Sequence, residues 1–196
     1  MTNINLPNAV FIHCSGTQSG DHGSTPLINY LKIETKSELN ILHPSMPDPR
    51  SPSYGAWEKV IENANLSQCS IVIGHSLGAS VILKYLSEQK PFLALDALFL
   101  IATPFWGLRD WTHGDYVLKA DFPKALVNVK RIFFYHSNDD HVVPVHHLEA
   151  YSSCLPGATA RRLNGQGHYF TKGIPVLIED LKRSSVGKSE SRIDIS

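Results

Sequence analysis

The chain is poor in cysteine and has no charge imbalance. Its 196 residues include three cysteines, Cys14, Cys69 and Cys154. The number is odd and the spacing fits neither a disulfide framework nor a zinc knuckle, so the expectation is three reduced, mostly buried thiols. Eighteen basic residues balance eighteen acidic ones. That balance gives no electrostatic reason to expect nucleic acid or an anionic membrane as a partner. No apolar run approaches the roughly 20 residues that span a bilayer. The N-terminus lacks a basic segment followed by an apolar signal core. Together these absences make cytoplasmic residence the expectation. Neither a G-x-x-x-x-G-K-[ST] nor a G-x-G-x-x-G stretch is present, so no phosphate or dinucleotide cradle is expected. His141, His146 and His147 lie near Asp139 and Asp140, but in no metal-ligand spacing. The expectation is no metal and no cofactor, and the sequence assigns no protein partner.

What is present is an alternation of short apolar runs and helical patterns. Ala9-Val10-Phe11-Ile12 reads as a buried strand, Asn40 to His43 as a weaker one, and Ser70 to Ile73 as a third. Ala97 to Ala102 and Arg131 to His136 follow, with a weak sixth strand over Thr159 to Leu163. Between them, helices are expected over about Pro26–Lys36, from Tyr54, over Ala79–Glu88, Val145–Ser153 and Ile174–Leu181. Trp57, Val60, Ile61 and Ala64 make one apolar stripe on the second of these. Near-continuous apolar strands separated by helices indicate an α/β domain with a parallel sheet covered on both faces. The expected boundaries are a single domain over residues 1–181 and a polar, solvated tail over 182–196. Residues 103–130 break the alternation. They carry Phe105, Trp106, Trp111, Tyr116 and Phe122 on a segment that leaves a strand's carboxyl end, the ligand-binding edge of an open sheet. Two readings stay open: a partial cap over a site, or a loop packing its aromatics on the core.

Gly74-His75-Ser76-Leu77-Gly78 sits between a β-branched strand and a helix pattern, the context a nucleophile elbow requires. Glycines at 74 and 78 allow strand and helix backbones to approach, and Ser76 is exposed at the top of the sheet. A serine hydroxyl needs a base. His168, in the loop Gly165-Gln166-Gly167-His168, has the right place in chain order, after a serine and an acid. The acid belongs in the loop Ser137-Asn138-Asp139-Asp140-His141, where either aspartate qualifies. An oxyanion hole needs two backbone donors. Leu77 N–H is one, and Cys14 or Ser15 supplies the second, with Ser15 preferred. Cys14 lacks an elbow and is not expected to be a nucleophile.

With these motifs, the chain resembles the α/β-hydrolase superfamily over roughly residues 9–181. More closely, it resembles the small serine-hydrolase family that includes retinoblastoma-binding protein 9 and YdeN-like proteins. The loop after Phe11-Ile12, Met46-Pro47-Asp48-Pro49, Trp57, the elbow, Asp139-Asp140 with Pro144, and Gly167-His168-Tyr169 carry the likeness. The resemblance implies a reduced α/β-hydrolase fold, one three-layer domain with strand order 2-1-3-4-5-6. It also implies that Asp140 is the triad acid beside Ser76 and His168. The loop His13-Cys14-Ser15-Gly16 departs from the Gly-rich loop common in relatives, which affects the second oxyanion donor. The expected reaction is hydrolysis of a small carboxylic ester through an acyl-enzyme, with short acyl groups preferred. Amide or thioester cleavage on the same groups and a non-catalytic interaction module are the alternatives.

Overall fold

The computed structural model describes residues 6–185 except 90, 110 and 113. Six strands form one sheet: β1 (Asn8–Ile12), β2 (Asn40–Leu42), β3 (Ile71–His75), β4 (Ala97–Ile101), β5 (Ile132–Ser137) and β6 (Thr159–Leu163). The helices are α1 (Thr25–Glu34), α2 (Tyr54–Asn63), α3 (Leu77–Glu88), α4 (Phe122–Ala125), α5 (His146–Cys154) and α6 (Pro175–Ser185). All strand pairs are parallel and the order is β2-β1-β3-β4-β5-β6, as expected.

The two-residue period of the strands sorts their side chains between two cores. Val10, Ile12, Val72, Leu98, Leu100 and Phe134 pack with α2, α3 and α5 on one face. Ala9, Phe11, Ile71, Ile73, Phe99 and Tyr135 pack with α1 and α6 on the other. This makes three layers and explains why β3 and β4 are buried at every position. The edges differ. β2 is three residues long and β6 carries Arg161 and Arg162, which blunts both edges against further pairing. Arg161 makes a two-pronged ion pair with Asp180 of α6, which also accepts from the Tyr135 hydroxyl. The Trp57 indole N–H donates to the Pro47 carbonyl and so fastens the proline-rich segment to α2.

The last helix runs four residues past the expected domain boundary at 181. Ser184 is buried with its hydroxyl on the Asp180 carbonyl, and Arg131 donates to the carbonyls of Arg183 and Ser184. The polar sequence of Lys182–Ser185 hides this because Arg131, just before β5, is distant in the chain. The rest of the expected tail, 186–196, lies outside the described residues. None of the helices among the described residues is long and apolar enough to cross a membrane.

The chain moves from β1 outward to β2, then crosses back to β3. That reversal opens a crevice at the carboxyl ends of β1 and β3, the place where open α/β sheets bind ligands. The loops after β1, β3, β4, β5 and β6 all emerge at this edge.

Candidate active site

β3 ends at His75 and α3 begins at Leu77, so the turn consists of Ser76 alone. Ser76 has φ 53° and ψ −121°, a region that side-chain-bearing residues rarely occupy. The surroundings hold it there: its N–H donates to the Ile101 carbonyl and its carbonyl accepts from Ala79 and Ser80. The two glycines of the elbow are steric necessities. A Cβ on Gly74 would fall on the Ala79 backbone, and one on Gly78 on the carbonyls of Ile12 and His13. Gly78 therefore lets the loop after β1 lie against the first turn of α3.

His168 follows Gly165 and Gly167, both at positive φ. Its Nε2 lies 3.0 Å from Ser76 Oγ and its Nδ1 lies 2.8 Å from Asp140 Oδ2. Asp140 Oδ1 accepts the backbone N–H groups of Val142 and Val143 at 2.9 and 2.8 Å. Burial pushes the Asp140 carboxyl up, but the hydrogen bond and charge of His168 and those two N–H groups outweigh it. The net shift is below the ordinary value. An ionised carboxylate only accepts, so His168 Nδ1 carries the proton and Nε2 is the bare acceptor facing Ser76 Oγ–H. Ser76, Asp140 and His168 are all buried to within a few per cent.

Asp139, one residue earlier, is exposed and points elsewhere. Its carboxylate accepts from the Ser137 hydroxyl and from the N–H groups of Gly165 and Gly167. It braces the glycine turn that presents His168 and does not touch the imidazole. Residue type and loop position alone left both aspartates open, because both sit on one tight turn, and the family resemblance implied Asp140.

Two polar residues at this edge had no marked role in the sequence. His75 is fully buried, with Nε2 at 2.8 Å from the His168 carbonyl and Nδ1 at 2.9 Å from Ser24 Oγ. Ser24 Oγ in turn lies 2.9 Å from Cys14 N. His75 was readable as part of the elbow motif. Ser24 had no signal, since its partners lie 10 and 51 residues away.

Ser76 opens onto a cleft of about 490 Å3. Ser15 and Leu77 line it near the hydroxyl, with Trp106, Trp111 and Tyr116 on one wall and Arg50 on the rim. Trp106 stands 5.0 Å from Trp111 and 5.1 Å from Tyr116, ring centre to ring centre, and its indole N–H donates to Ser80 Oγ. The Tyr116 hydroxyl donates to the Pro52 carbonyl across the cleft. Phe105 and Phe122 turn inward onto Tyr151. The aromatic segment is thus divided between cleft wall and core, and neither of the two sequence readings describes all of it. Among the described residues, no group of three or more His, Cys, Asp or Glu, those around His141, His146 and His147 included, is placed to hold a metal ion.

No protein-family model and no curated protein matches the chain by sequence. Solved structures do. The ydeN gene product of B. subtilis superposes with a TM-score of 0.73 at 21% identity, over 91% of this chain and 98% of that one. An esterase domain from a Rhodothermus marinus protein gives 0.61 at 15% identity, over 91% and 88%. XC6422 from Xanthomonas campestris, an α/β serine hydrolase without a lid, gives 0.60 at 16%, over 94% and 84%. The chain has the α/β-hydrolase fold. In this α/β-hydrolase fold the serine, the imidazole and the carboxylate come from the loops after β3, β6 and β5, and they meet only because the parallel sheet brings those carboxyl ends to one edge.

Proposed function

We propose that the protein is a serine hydrolase that cleaves small carboxylic esters through an acyl-enzyme. The observation that carries this reading is the one-directional hydrogen-bonded chain from Ser76 through His168 to Asp140 at the floor of an open cleft. Ser76 Oγ attacks the ester carbonyl while its proton passes to His168 Nε2. The C–O bond to the alcohol then breaks, and the alcohol leaves with that proton. Water, deprotonated by His168, attacks the acyl-Ser76 ester, and the carboxylic acid departs as Ser76 regains its proton. Asp140 holds the ring in the productive tautomer and stabilises the imidazolium.

The tetrahedral oxyanion needs donors that are fixed and otherwise unpaired. Leu77 N–H, in the first turn of α3, meets that condition among the described residues. In the loop after β1, Cys14 N–H is taken by Ser24 and Gly16 N–H by the Pro49 carbonyl. Ser15 N–H stands between them with no protein partner among the described residues, which supports Ser15 over Cys14 as the second donor. The structural neighbours that are esterases and serine hydrolases agree with this reaction class. The aromatic wall of the cleft favours short acyl groups.

A panel of matched p-nitrophenyl ester, thioester and anilide substrates tests the reading. Ser76→Ala is expected to fold and to lose ester turnover and fluorophosphonate labelling together. Undiminished turnover in that variant, or a wild-type chain that neither turns over esters nor labels at Ser76, would overturn it.

A further inference from the structure

We propose that Ser24 and His75 form a positioning relay that presents the Ser15 amide to the reacting carbonyl and ties it to the loop carrying His168. This rests on the hydrolase reading above. Neither residue reaches the cleft, so each acts through others.

The donors in this relay have only one consistent direction. The His168 carbonyl can only accept, so His75 Nε2 carries the proton and donates to it. His75 Nδ1 is then bare and accepts from the Ser24 hydroxyl. The Ser24 oxygen accepts the Cys14 N–H. Three hydrogen bonds of 2.8–2.9 Å therefore join the loop after β1, the elbow and the loop after β6. Ser24 and His75 are wholly buried and Cys14 nearly so, which makes each bond costly to leave unmade. Burial also pushes the His75 pKa down to about 3, so the ring stays neutral and the relay keeps its direction at ordinary pH.

Ser24 occupies the residue before α1, where a serine hydroxyl usually caps the helix. Here it makes no capping bond. The hydroxyl turns away from the helix it precedes and toward Cys14 and His75. The consequence falls on Ser15. The peptide before it is held through Cys14 N–H by Ser24, and the peptide after it through Gly16 N–H by the Pro49 carbonyl. The intervening Ser15 N–H has no partner among the described residues yet is pinned from both sides, which is what a preorganised donor requires. The other end of the relay fixes the backbone of His168 itself. One buried imidazole thus sets the spacing between the oxyanion donor and the general base.

Kinetics of the full chain carrying Ser24→Ala, Ser24→Cys and His75→Asn test this, with circular dichroism and thermal melting as controls for folding. The substrate is p-nitrophenyl acetate. The probe is an aryl trifluoromethyl ketone, whose carbonyl carbon bonds Ser76 Oγ while the proton moves to His168 and the oxygen becomes the oxyanion. Displacing rather than deleting a donor is expected to lower kcat about 10- to 100-fold in Ser24→Ala. KM should stay within about 2-fold, because the ground-state ester gains little from the oxyanion donor. The ketone's Ki should rise by the same factor as kcat/KM falls. His75→Asn keeps an acceptor for Ser24 but loses the reach to the His168 carbonyl, and should lower kcat as well. A folded Ser24→Ala chain with wild-type kcat and Ki overturns the relay. So does a loss confined to melting temperature. If Ser24→Ala does not fold, Ser24→Cys decides: a smaller matched loss supports the relay and wild-type values overturn it. A wild-type chain without ester turnover overturns the hydrolase reading instead, so the two failures are distinct.

Discussion

Replacing Asp140 by Asn removes one charge and changes almost no volume, yet the site leaves the new amide only one comfortable orientation. Asp140 Oδ1 accepts two backbone N–H groups, from Val142 and Val143. The Asn carbonyl must take that position, since the opposite orientation sets its NH2 against the N–H groups of Val142 and Val143, the second of them buried. An unmet buried donor costs about 1–3 kcal/mol, so the flipped form is disfavoured by at least that much. In the favoured form the NH2 faces His168 Nδ1 and donates to it. The His168 proton then sits on Nε2, where it confronts Ser76 Oγ as a donor and the ring cannot take the serine proton. A wrong tautomer of this kind costs about 10³- to 10⁴-fold in kcat. Asp139→Asn is the control: its exposed carboxylate braces Ser137, Gly165 and Gly167, and an amide oxygen can still accept from Ser137 and Gly165, so a loss of only a few-fold is expected. The assay is p-nitrophenyl acetate turnover with enzyme concentration set by active-site titration. Asp140→Asn within tenfold of wild type, or Asp139→Asn the more damaging of the two, would refute the reasoning.

Two further outcomes follow from the cleft and the buried histidines. Among the described residues, Trp106 alone lines both the Ser76 cleft and a neighbouring apolar cavity of about 210 Å3 floored by Phe105, Phe122 and Tyr151. Trp106→Ala should join them and raise the octanoate-to-acetate ratio of kcat/KM for p-nitrophenyl esters more than tenfold, since each newly buried methylene is worth about 0.8 kcal/mol; an unchanged ratio contradicts the partition. Burial pushes His13 and His147 down to about 4 and His75 to about 3, from 6.5. Their folded pKa values are depressed, so the stability they confer is full above about pH 6.5 and falls as the unfolded chain takes up protons the native state refuses. With three such groups the slope reaches at most about 4 kcal/mol per pH unit between about pH 6 and 4. Urea denaturation at pH 7.5 and pH 5 measures it, and equal stabilities would mean the rings are not held neutral.

The sequence by itself determined a great deal here. Apolar runs of strand length between helical patterns specified parallel strands with helices on both faces, because burial on two faces demands continuous apolar character. The elbow was legible because a strand, a one-residue turn and a helix leave a local imprint: glycines at 74 and 78 where backbones touch. His168 was legible from glycines that bend its loop and from its place after a serine and an acid. Residue type left Asp140 and Asp139 open and the family resemblance implied Asp140, but only the tertiary structure displays their separate contacts. Adjacent residues on a tight turn point in different directions, and φ and ψ, not residue type, decide which carboxylate meets the imidazole. The same holds for the Cys14 N–H, which the distant Ser24 occupies, and for Lys182–Ser185, which continue α6 where Arg131, just before β5, meets the carbonyls of Arg183 and Ser184. The Ser24–His75 bond joins residues 51 apart through a parallel crossover. Periodicity reports what a residue buries against, but a hydrogen bond between distant loops exists only after the sheet has set them side by side.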